Sequence, residues 1–397
     1  MSVLPVSTRP VSNESPSQCE GNTRTSVKPD WWLIGAVGLL AGLGLLVILS
    51  ASSLMADSRY SNSFHFVLRQ GIALSAGALG AAVLMRVPTA RLRQFATPAY
   101  VLAVIALVLV LTPLGRSAYG SARWINLGFF NFQPSEFAKF ALILAFSNHL
   151  ARNEGRIADV AGVVLPGLIV WGAPVILLVY LEPDFLTSVL MSSLLGVLLY
   201  VGGLRWRWML SMGAVALAAL GAMLVAEPYR VRRLTSFLDP FSDPENTGYQ
   251  VIQGWIALAS GGFTGQGMAS GLAQRGFLPE AHTDFIAAVV GEEFGAVGWV
   301  LMLAIYGVIL WRCVRITFRS PTFFGVLLGS ALTTLIAFQV IVNLCVVVSW
   351  FPPTGLVLPF LSYGATAVVF HMLAVGILLR LHIEAEEADQ IGAAVPG

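Results

Sequence analysis

Long apolar runs are the feature that most restricts how this chain can fold. Each run holds roughly 20 residues, which is the length that an α-helix needs to cross a hydrocarbon core of about 30 Å. Ten runs can be placed, and most charged residues lie between them. They cover approximately residues 33–54, 67–86, 95–113, 134–150, 160–180, 185–203, 208–226, 284–312, 322–350 and 357–381.

The composition excludes a soluble protein of ordinary kind. Hydrophobic residues make up 56% of the chain and charged residues only 11%, whereas a soluble domain carries about 25% charged residues. A soluble fold of this length could not bury so much apolar surface. The sequence therefore predicts an all-α integral membrane protein, built as a bundle of about ten transmembrane helices.

Several functions lack support in the sequence. Only Lys28 and Lys139 are lysines, and no basic tract indicates nucleic-acid binding. No phosphate-binding loop, serine elbow or zinc-protease motif is present, so ATP hydrolysis and acyl transfer are not indicated. Cys19, Cys313 and Cys345 form no CxxC pair. We therefore expect neither a structural disulfide nor a zinc site.

The distribution of arginine orients the predicted bundle, because short cytoplasmic loops are enriched in basic residues. With the N-terminus in the cytoplasm, the inner segments hold 14 of the 23 basic residues. Both termini are then cytoplasmic. Residues 1–30 form a disordered tail, 31–382 the membrane domain and 383–397 a C-terminal tail. The segments that face outward are 55–66, 114–133, 181–184, 227–283 and 351–356.

The segment 227–283 is predicted to be a large structured extracytoplasmic loop. Its stretch YQVIQGWIALASGGF (249–263) predicts a short interfacial helix that the glycines of GGFTGQG end. Five arginines are unusual on this outward side: Arg116, Arg123, Arg230, Arg232 and Arg233. Guanidinium groups suit phosphate and pyrophosphate. On pattern alone, lipid headgroups or solvent are equally good partners.

Ionisable residues inside a span cost on the order of 3 kcal/mol each to insert and so suggest function. Glu136 and Lys139, in NFQPSEFAKF (131–140), are three residues apart and share one helix face. Pro134 suits the first turn of that helix. The pair either takes part in chemistry or only anchors the helix end.

A second ionisable group lies in FLPEAHTDFIAAVVGEEFG (277–295). Asp284 suits a general base at the membrane boundary. On pattern alone, however, N-capping of the next helix by Thr283 or Asp284 is favoured. His282 is an alternative base. For Glu292 and Glu293, hydrogen bonding to neighbouring helices is preferred over a polar track or a cation site.

Two proline-containing turns complete the candidate outer surface. LEPDF (181–185) holds Glu182 and Asp184, which are expected to be solvated or to assist a metal. The stretch NLCVVVSWFPPTGLVLPFLSYGATA (343–367) predicts a helix end, a Pro/Gly turn and a helix start. Tight helix packing is the simpler explanation of its small residues.

Three separated segments together resemble the motifs of the SEDS family (shape, elongation, division and sporulation). They are GSARWINLGFFNFQPSEFAKF (120–140), GFLPEAHTDFIAAVVGEEFGAVG (276–298) and PPTGLVLPFLSYG (352–364). The resemblance covers essentially all ten spans, and the polar N-terminal tail favours the division branch over the elongation branch. The chain departs from the family pattern at Glu182, which stands for Gln, and at Leu186 and Ala365, which stand for Gly.

The resemblance implies a peptidoglycan glycosyltransferase that polymerises lipid II at the outer face of the inner membrane, at the division septum. It implies Asp284 as the catalytic base. The residues then expected at the substrate and its pyrophosphate are Lys139, Glu136, Arg123, Arg230, Arg232, Arg233, His282, Gln133 and Ser135. No ligand set indicates a metal or cofactor, although Mg²⁺ or Mn²⁺ is compatible with such chemistry. The implied partners are a class B penicillin-binding transpeptidase and small bitopic division proteins.

Two other classes of function fit parts of the pattern. A lipid II flippase would also use outward arginines and charges within the membrane, but it needs a polar path through the bilayer. The charges here cluster toward the outer side, which favours chemistry at that face. A scaffold that recruits division proteins would not need Lys139 or Asp284.

Overall fold

Membrane-crossing helices account for most of the fold. The computed structural model describes residues 28–113, 115–118, 121–126, 128, 130–225, 235, 237–244, 248–272, 276–353 and 355–394. Within these residues a helix lies over each of the ten predicted spans. Seven are long and apolar enough to cross a membrane, two more are apolar but shorter, and the tenth carries Glu136 and Lys139 in its first turns.

Besides a short 3-10 helix at Pro240–Ser242, twelve longer helices are described in this part of the chain. They are α1 (Trp31–Tyr60), α2 (His65–Leu84), α3 (Thr89–Gln94), α4 (Ala96–Val110), α5 (Pro134–Arg152), α6 (Val160–Leu181), α7 (Phe185–Val201), α8 (Trp206–Val225), α9 (Tyr249–Gly261), α10 (Ile286–Phe318), α11 (Phe323–Val347) and α12 (Ala365–Ala394). Two stretches of α6 are π-helical, Val160–Val164 and Leu168–Gly172. The helix predicted in the long loop is confirmed as α9, and its position at the membrane interface stays a prediction.

The start of the last span was predicted wrongly. Helix α12 begins at Ala365 rather than near 357, because residues 355–364 form an irregular segment that folds back into the bundle. Pro359 cannot donate a helical hydrogen bond, and the backbone N–H of Tyr363 donates to the carbonyl of His282 (2.9 Å). At its other end α12 continues to Ala394, so most of the segment assigned as a C-terminal tail is helical.

A small antiparallel sheet, which the sequence did not predict, lies in the second outward segment. Its strands, in the order β1-β2-β3, are β1 (Gly115–Ala118), β2 (Ser121–Asn126) and β3 (Asn131–Phe132). The guanidinium of Arg123 donates to the carbonyls of Glu182 and Pro183. The hydroxyl of Thr366 donates to the carbonyl of Asn131 (2.9 Å). The sheet is thereby fixed to the α6–α7 turn and to the start of α12.

The loops fall into two groups, and the loops within each group contact one another. Among the predicted outward segments, His282 packs on Phe66 with ring centroids 4.8 Å apart. Trp255 of the long outward loop donates to Ser349 (2.6 Å), at the outward end of the predicted span 322–350. Among the inner segments, Arg312 pairs with Asp30 and Thr89 donates to Glu384 (2.6 Å). The contacts agree with the predicted grouping of loops on two faces. The assignment of one face to the cytoplasm stays a prediction.

Candidate active site

Helix α10 is broken at its tenth residue, Gly295, and the outer loop docks at the break. Gly295 has φ 64° and ψ −160°, a conformation that in practice only glycine adopts. Residues 286–293 before the break are buried, whereas Val297 and Val300 after it are exposed. The 23 residues that follow the break would extend about 35 Å, which by itself suffices to span a bilayer. The segment before the break therefore lies inside the protein.

The backbone groups that the break frees are taken up by the loop after α9. The N–H groups of Gln266 and Gly267 donate to the carbonyls of Glu292 (2.9 Å) and Glu293 (3.0 Å). In the other direction, Ala296 donates to Gly262 (3.0 Å) and Val297 to Phe263 (3.2 Å). The glycine-rich stretch 261–267 thus substitutes for a missing helical turn, which satisfies buried backbone groups.

Glu292 and Glu293 hold the same loop with their side chains. The carboxylate of Glu293 accepts hydrogen bonds from Ser50 of α1 and from the N–H of Ala269 (3.2 Å). Glu292 accepts from the N–H of Leu272 (2.6 Å). The preferred prediction, bonds to neighbouring helices, is correct for Ser50. It missed the loop amides, whose approach depends on the helix break.

This arrangement predicts that Glu293 acts through its hydrogen bonds rather than its charge. One oxygen, Oε1, takes both bonds, while Oε2 is buried without a partner among the described residues. Glu293→Gln keeps an acceptor at Oε1, so we expect near-native thermal stability and activity. Glu293→Ala leaves the donors unpaired and should cost about 1–3 kcal/mol. Thermal unfolding of both variants in detergent tests this, and a Gln variant as impaired as the Ala variant would point to a cation or proton role.

Asp284 lies at the end of a tight turn that packs against two other elements. The carbonyl of Glu280 accepts from the N–H groups of Thr283 (3.1 Å) and Phe285 (3.3 Å). Phe285, not Thr283 or Asp284, occupies the N-cap position of α10. The hydroxyl of Thr283 instead donates to the Glu280 carboxylate (2.8 Å). The capping role that the pattern favoured is therefore wrong.

The irregular segment before α12 closes over the Asp284 carboxylate. Gly355 has φ 77°, and a Cβ built there would lie 3.8 Å from Oδ2 of Asp284. Asn343 of α11 donates both to the backbone carbonyl of Asp284 (3.0 Å) and to that of Leu356 (2.7 Å). The Asp284 loop, α11 and the segment before α12 therefore meet at this residue. Asp284 is half-buried there, so it is still partly accessible.

His282 is held in an aromatic cluster beside this junction. It is buried and packs on Phe66 and Tyr363, with centroids 4.8 and 5.7 Å away. Burial lowers the pKa of His282 below its usual value of 6.5, against the opposing effect of the Glu280 charge. A neutral imidazole two residues from Asp284 is compatible with proton transfer or with hydrogen bonding to a ligand.

A buried ion pair lies below the outer surface, in α5. Pro134 occupies the first turn of this helix, as predicted, and Nζ of Lys139 lies 2.7 Å from Oε1 of Glu136. Lys139 is fully buried and Glu136 nearly so. A charge pair in such surroundings is strongly coupled, because solvent does not screen it. The lysine is not exposed to a ligand in this structure.

Three polar residues that the sequence analysis missed lie between this pair and Asp284. His371 of α12, near enough for the charge of Lys139 to act on it, shares a short hydrogen bond with Gln339 of α11. Gln339 lies one helical turn from Asn343, which holds Asp284. All three lie in apolar runs, where a polar side chain is itself a signal of function. They link the surroundings of Lys139 to those of Asp284.

The other predicted site residues are placed less favourably or are not described. Ser135 is buried, Gln133 precedes α5, and Arg123 is engaged with the α6–α7 turn. Arg230, Arg232 and Arg233 lie outside the described residues. Among the residues that are described, no three His, Cys, Asp or Glu side chains gather as a metal site requires.

The α6–α7 turn contradicts the expectation that Glu182 is solvated. Glu182 is fully buried, and neither carboxylate oxygen has a hydrogen-bond partner in the described part of the chain. Burial and the neighbouring Asp184 raise the pKa of Glu182 to about 9, although Arg123 opposes the shift. Asp184 itself accepts from the N–H of Thr187 (3.3 Å) at the start of α7.

Glu182 should make stability fall with rising pH. The folded protein retains a proton on Glu182 up to about pH 9, whereas the unfolded chain releases it near 4.5. The stabilising contribution is therefore complete below pH 4.5 and lost as pH rises through about 9. Glu182→Gln should raise stability at pH 8 by about 1–3 kcal/mol and flatten this dependence. Thermal unfolding between pH 5 and 9 measures it, and identical profiles for both proteins would contradict the buried placement.

Comparison with known proteins agrees with this architecture. Residues 31–387 match the family model FtsW/RodA/SpoVE, described as cell cycle protein. The chain belongs to the FtsW/RodA/SpoVE family. It is 37% identical over 353 residues to a probable peptidoglycan glycosyltransferase FtsW of Trichlorobacter lovleyi, covering 89% of this chain and 92% of that protein. It is 35% identical to stage V sporulation protein E of Bacillus subtilis, covering 90% and 98%.

Solved structures of the FtsW/RodA/SpoVE fold match as well. One is a chain from a peptidoglycan synthase complex studied for the coordination of polymerization and crosslinking, with a TM-score of 0.74, 32% identity and coverage of 90% and 99%. Another is the rod shape determining protein RodA of Thermus thermophilus, with a TM-score of 0.66, 30% identity and coverage of 90% and 97%. The resemblance that the motifs suggested, and the multi-pass helical fold, are confirmed.

Proposed function

We propose that this protein is a peptidoglycan glycosyltransferase that polymerises lipid II during cell division. The observation that carries the proposal is the placement of Asp284. The residue is half-buried, its backbone carbonyl is held by Asn343, and its carboxylate lies beside Gly355 and does not occupy the N-cap position of α10. Relatives across almost the whole chain are named peptidoglycan glycosyltransferases, which supports the same activity.

The proposed reaction is a single displacement. Asp284 accepts the proton of the acceptor sugar hydroxyl as that oxygen bonds to the anomeric carbon of the lipid-linked donor. The bond from this carbon to the pyrophosphate oxygen breaks, and undecaprenyl pyrophosphate leaves with the bonding electrons. A positioned base of this kind contributes roughly 10²–10⁴-fold to the rate. Attack from the side opposite the leaving group inverts the anomeric centre.

Positive charge near the site would stabilise the leaving pyrophosphate. Arg123, which donates to the α6–α7 turn, is proposed to supply part of this charge. Arg230, Arg232 and Arg233 are proposed to supply the rest. Lys139 is buried against Glu136, so it is proposed to act on the pyrophosphate through its charge and without direct contact. Gln133, Ser135 and His282 complete the proposed set. A divalent cation such as Mg²⁺ or Mn²⁺ would assist the same step.

The proposed setting follows from the family. The protein lies in the cytoplasmic membrane with both termini inside and acts at the division septum. Its proposed partners are a class B penicillin-binding transpeptidase and small bitopic division proteins. A structural relative belongs to a complex described by polymerization and crosslinking, which supports a crosslinking partner.

One pair of assays distinguishes the polymerase from the rival proposal, a lipid II flippase. Purified protein is incubated with labelled lipid II, alone and with a transpeptidase-inactive partner, and the products are resolved by gel. The same preparation in vesicles is assayed for movement of lipid II between leaflets. Glycan ladders support the polymerase. Transport without any ladder under either condition would replace it with the flippase.

A further inference from the structure

A cavity of about 350 Å³ lies between the outward end of α1 and the loop that carries Asp284. One wall is formed by Ala51, Leu54, Met55 and Ser58, which share a face of α1. The opposite wall is the segment 276–282, including Leu278 and His282. Pockets for small ligands measure about 300–1,000 Å³, so this one suits part of a chain rather than a whole lipid.

The length of α1 sets the depth of the cavity. The helix has 30 residues, or about 45 Å at 1.5 Å per residue, against about 30 Å of hydrocarbon. It begins with exposed Trp31 and Trp32, a residue type enriched at membrane interfaces. Roughly 20 residues later, near Ala51, the helix leaves the hydrocarbon. The cavity therefore lies where lipid chains meet their headgroups.

The walls of the cavity are suited to an amphiphile. Most lining residues are apolar. Of the polar ones, Ser58 lies farthest along α1, and Glu280 and His282 belong to the Asp284 loop. Leu54 and Met55 are 55% and 37% exposed, so the protein does not cover the α1 wall of the cavity completely. A chain could enter from the bilayer without crossing the protein.

We propose that this cavity binds the headgroup-proximal part of the polyprenyl chain of a lipid-linked pyrophosphate substrate. The inference rests on the proposed function and adds a chain-binding site to it. The same loop forms the cavity wall and, two residues beyond His282, presents Asp284. A prenyl chain seated there would bring the attached pyrophosphate sugar to the carboxylate, whereas a bulk phospholipid gains nothing from that proximity.

A kinetic comparison tests the site. Met55→Trp fills the cavity and should raise the KM for lipid II about tenfold, the lower end of the discrimination that an apolar pocket gives, with kcat changed less than about twofold. Leu111→Trp is the matched control, because Leu111 has a similar exposure of 40% at the outward end of α4 and does not line the cavity. An unchanged KM for Met55→Trp would overturn the proposal.

A binding measurement keeps the test independent of turnover. A photo-crosslinking residue at position 55 or 111 is irradiated in vesicles of phospholipid containing a polyprenyl pyrophosphate, and the adducts are weighed by mass spectrometry. Prenyl adducts enriched at 55 over 111 support the site even if the wild type makes no glycan. Phospholipid adducts in equal proportion at both positions, or no prenyl adduct at 55, would show an ordinary lipid-facing surface.

Discussion

Asp284→Asn is expected to abolish glycan polymerisation, with a loss of at least roughly 10²–10⁴-fold, while the protein folds normally. An amide has nearly the shape of the carboxylate but cannot accept the acceptor proton. The contact that fixes this residue in the fold uses its backbone carbonyl, which Asn343 binds, so the substitution leaves that contact intact. Rates are measured with labelled lipid II, and folding is checked by thermal unfolding.

A second acid on the same loop supplies the control for Asp284→Asn. Glu280→Gln removes a carboxylate four residues earlier while leaving an acceptor for the hydroxyl of Thr283. We expect a much smaller loss than in Asp284→Asn, because the half-buried Glu280 accepts no proton in the proposed reaction and its hydrogen bond to Thr283 is kept. Equal losses in both variants would mean that the charge of the loop, not a base at Asp284, supports the reaction.

Lys139→Met is expected to be the most destabilising substitution among the site residues. It removes one partner of a buried ion pair and leaves the Glu136 carboxylate without its countercharge, which typically costs about 3–5 kcal/mol. The midpoint of thermal unfolding should fall clearly, and polymerisation should fall with it. A wild-type midpoint would show that the pair is hydrated and not buried as the structure places it.

The double variant Lys139→Met with Glu136→Gln separates stability from chemistry. Replacing both charges removes the uncompensated carboxylate, so most of the lost stability should return. Activity should stay low if the charge of Lys139 stabilises the leaving pyrophosphate. Recovery of both would make the pair a structural anchor, the simpler role that its sequence pattern also allowed.

The positions of the spans could be predicted from the sequence because hydropathy reports burial in lipid directly. The amphipathic helix α9 could also be predicted from the sequence, since its apolar residues recur with a helical period. Residues 357–364 misled the prediction, because an apolar run looks the same in a helix and in a buried irregular segment. Its fold depends on Tyr363 donating to His282, a contact between distant parts of the chain.

The centre of the candidate site was predictable only in part. Asp284, Glu136 and Lys139 stood out because charges in apolar surroundings are rare. The break at Gly295 did not, since an isolated glycine is tolerated in many helices and its conformation depends on the docked loop 262–267. Gln339, Asn343 and His371 carried the signal of polar residues within spans, but only packing shows that they link Lys139 to Asp284.

The measurement that tests the account most directly is the anomeric configuration of the bond that the purified protein forms. Isotopically labelled lipid II is polymerised, and the new glycosidic linkage is read by nuclear magnetic resonance against the linkage in the donor. A single displacement with Asp284 as base predicts complete inversion, and no product from Asp284→Asn. A retained configuration, which requires a covalent sugar–enzyme intermediate, or product from Asp284→Asn, would contradict it.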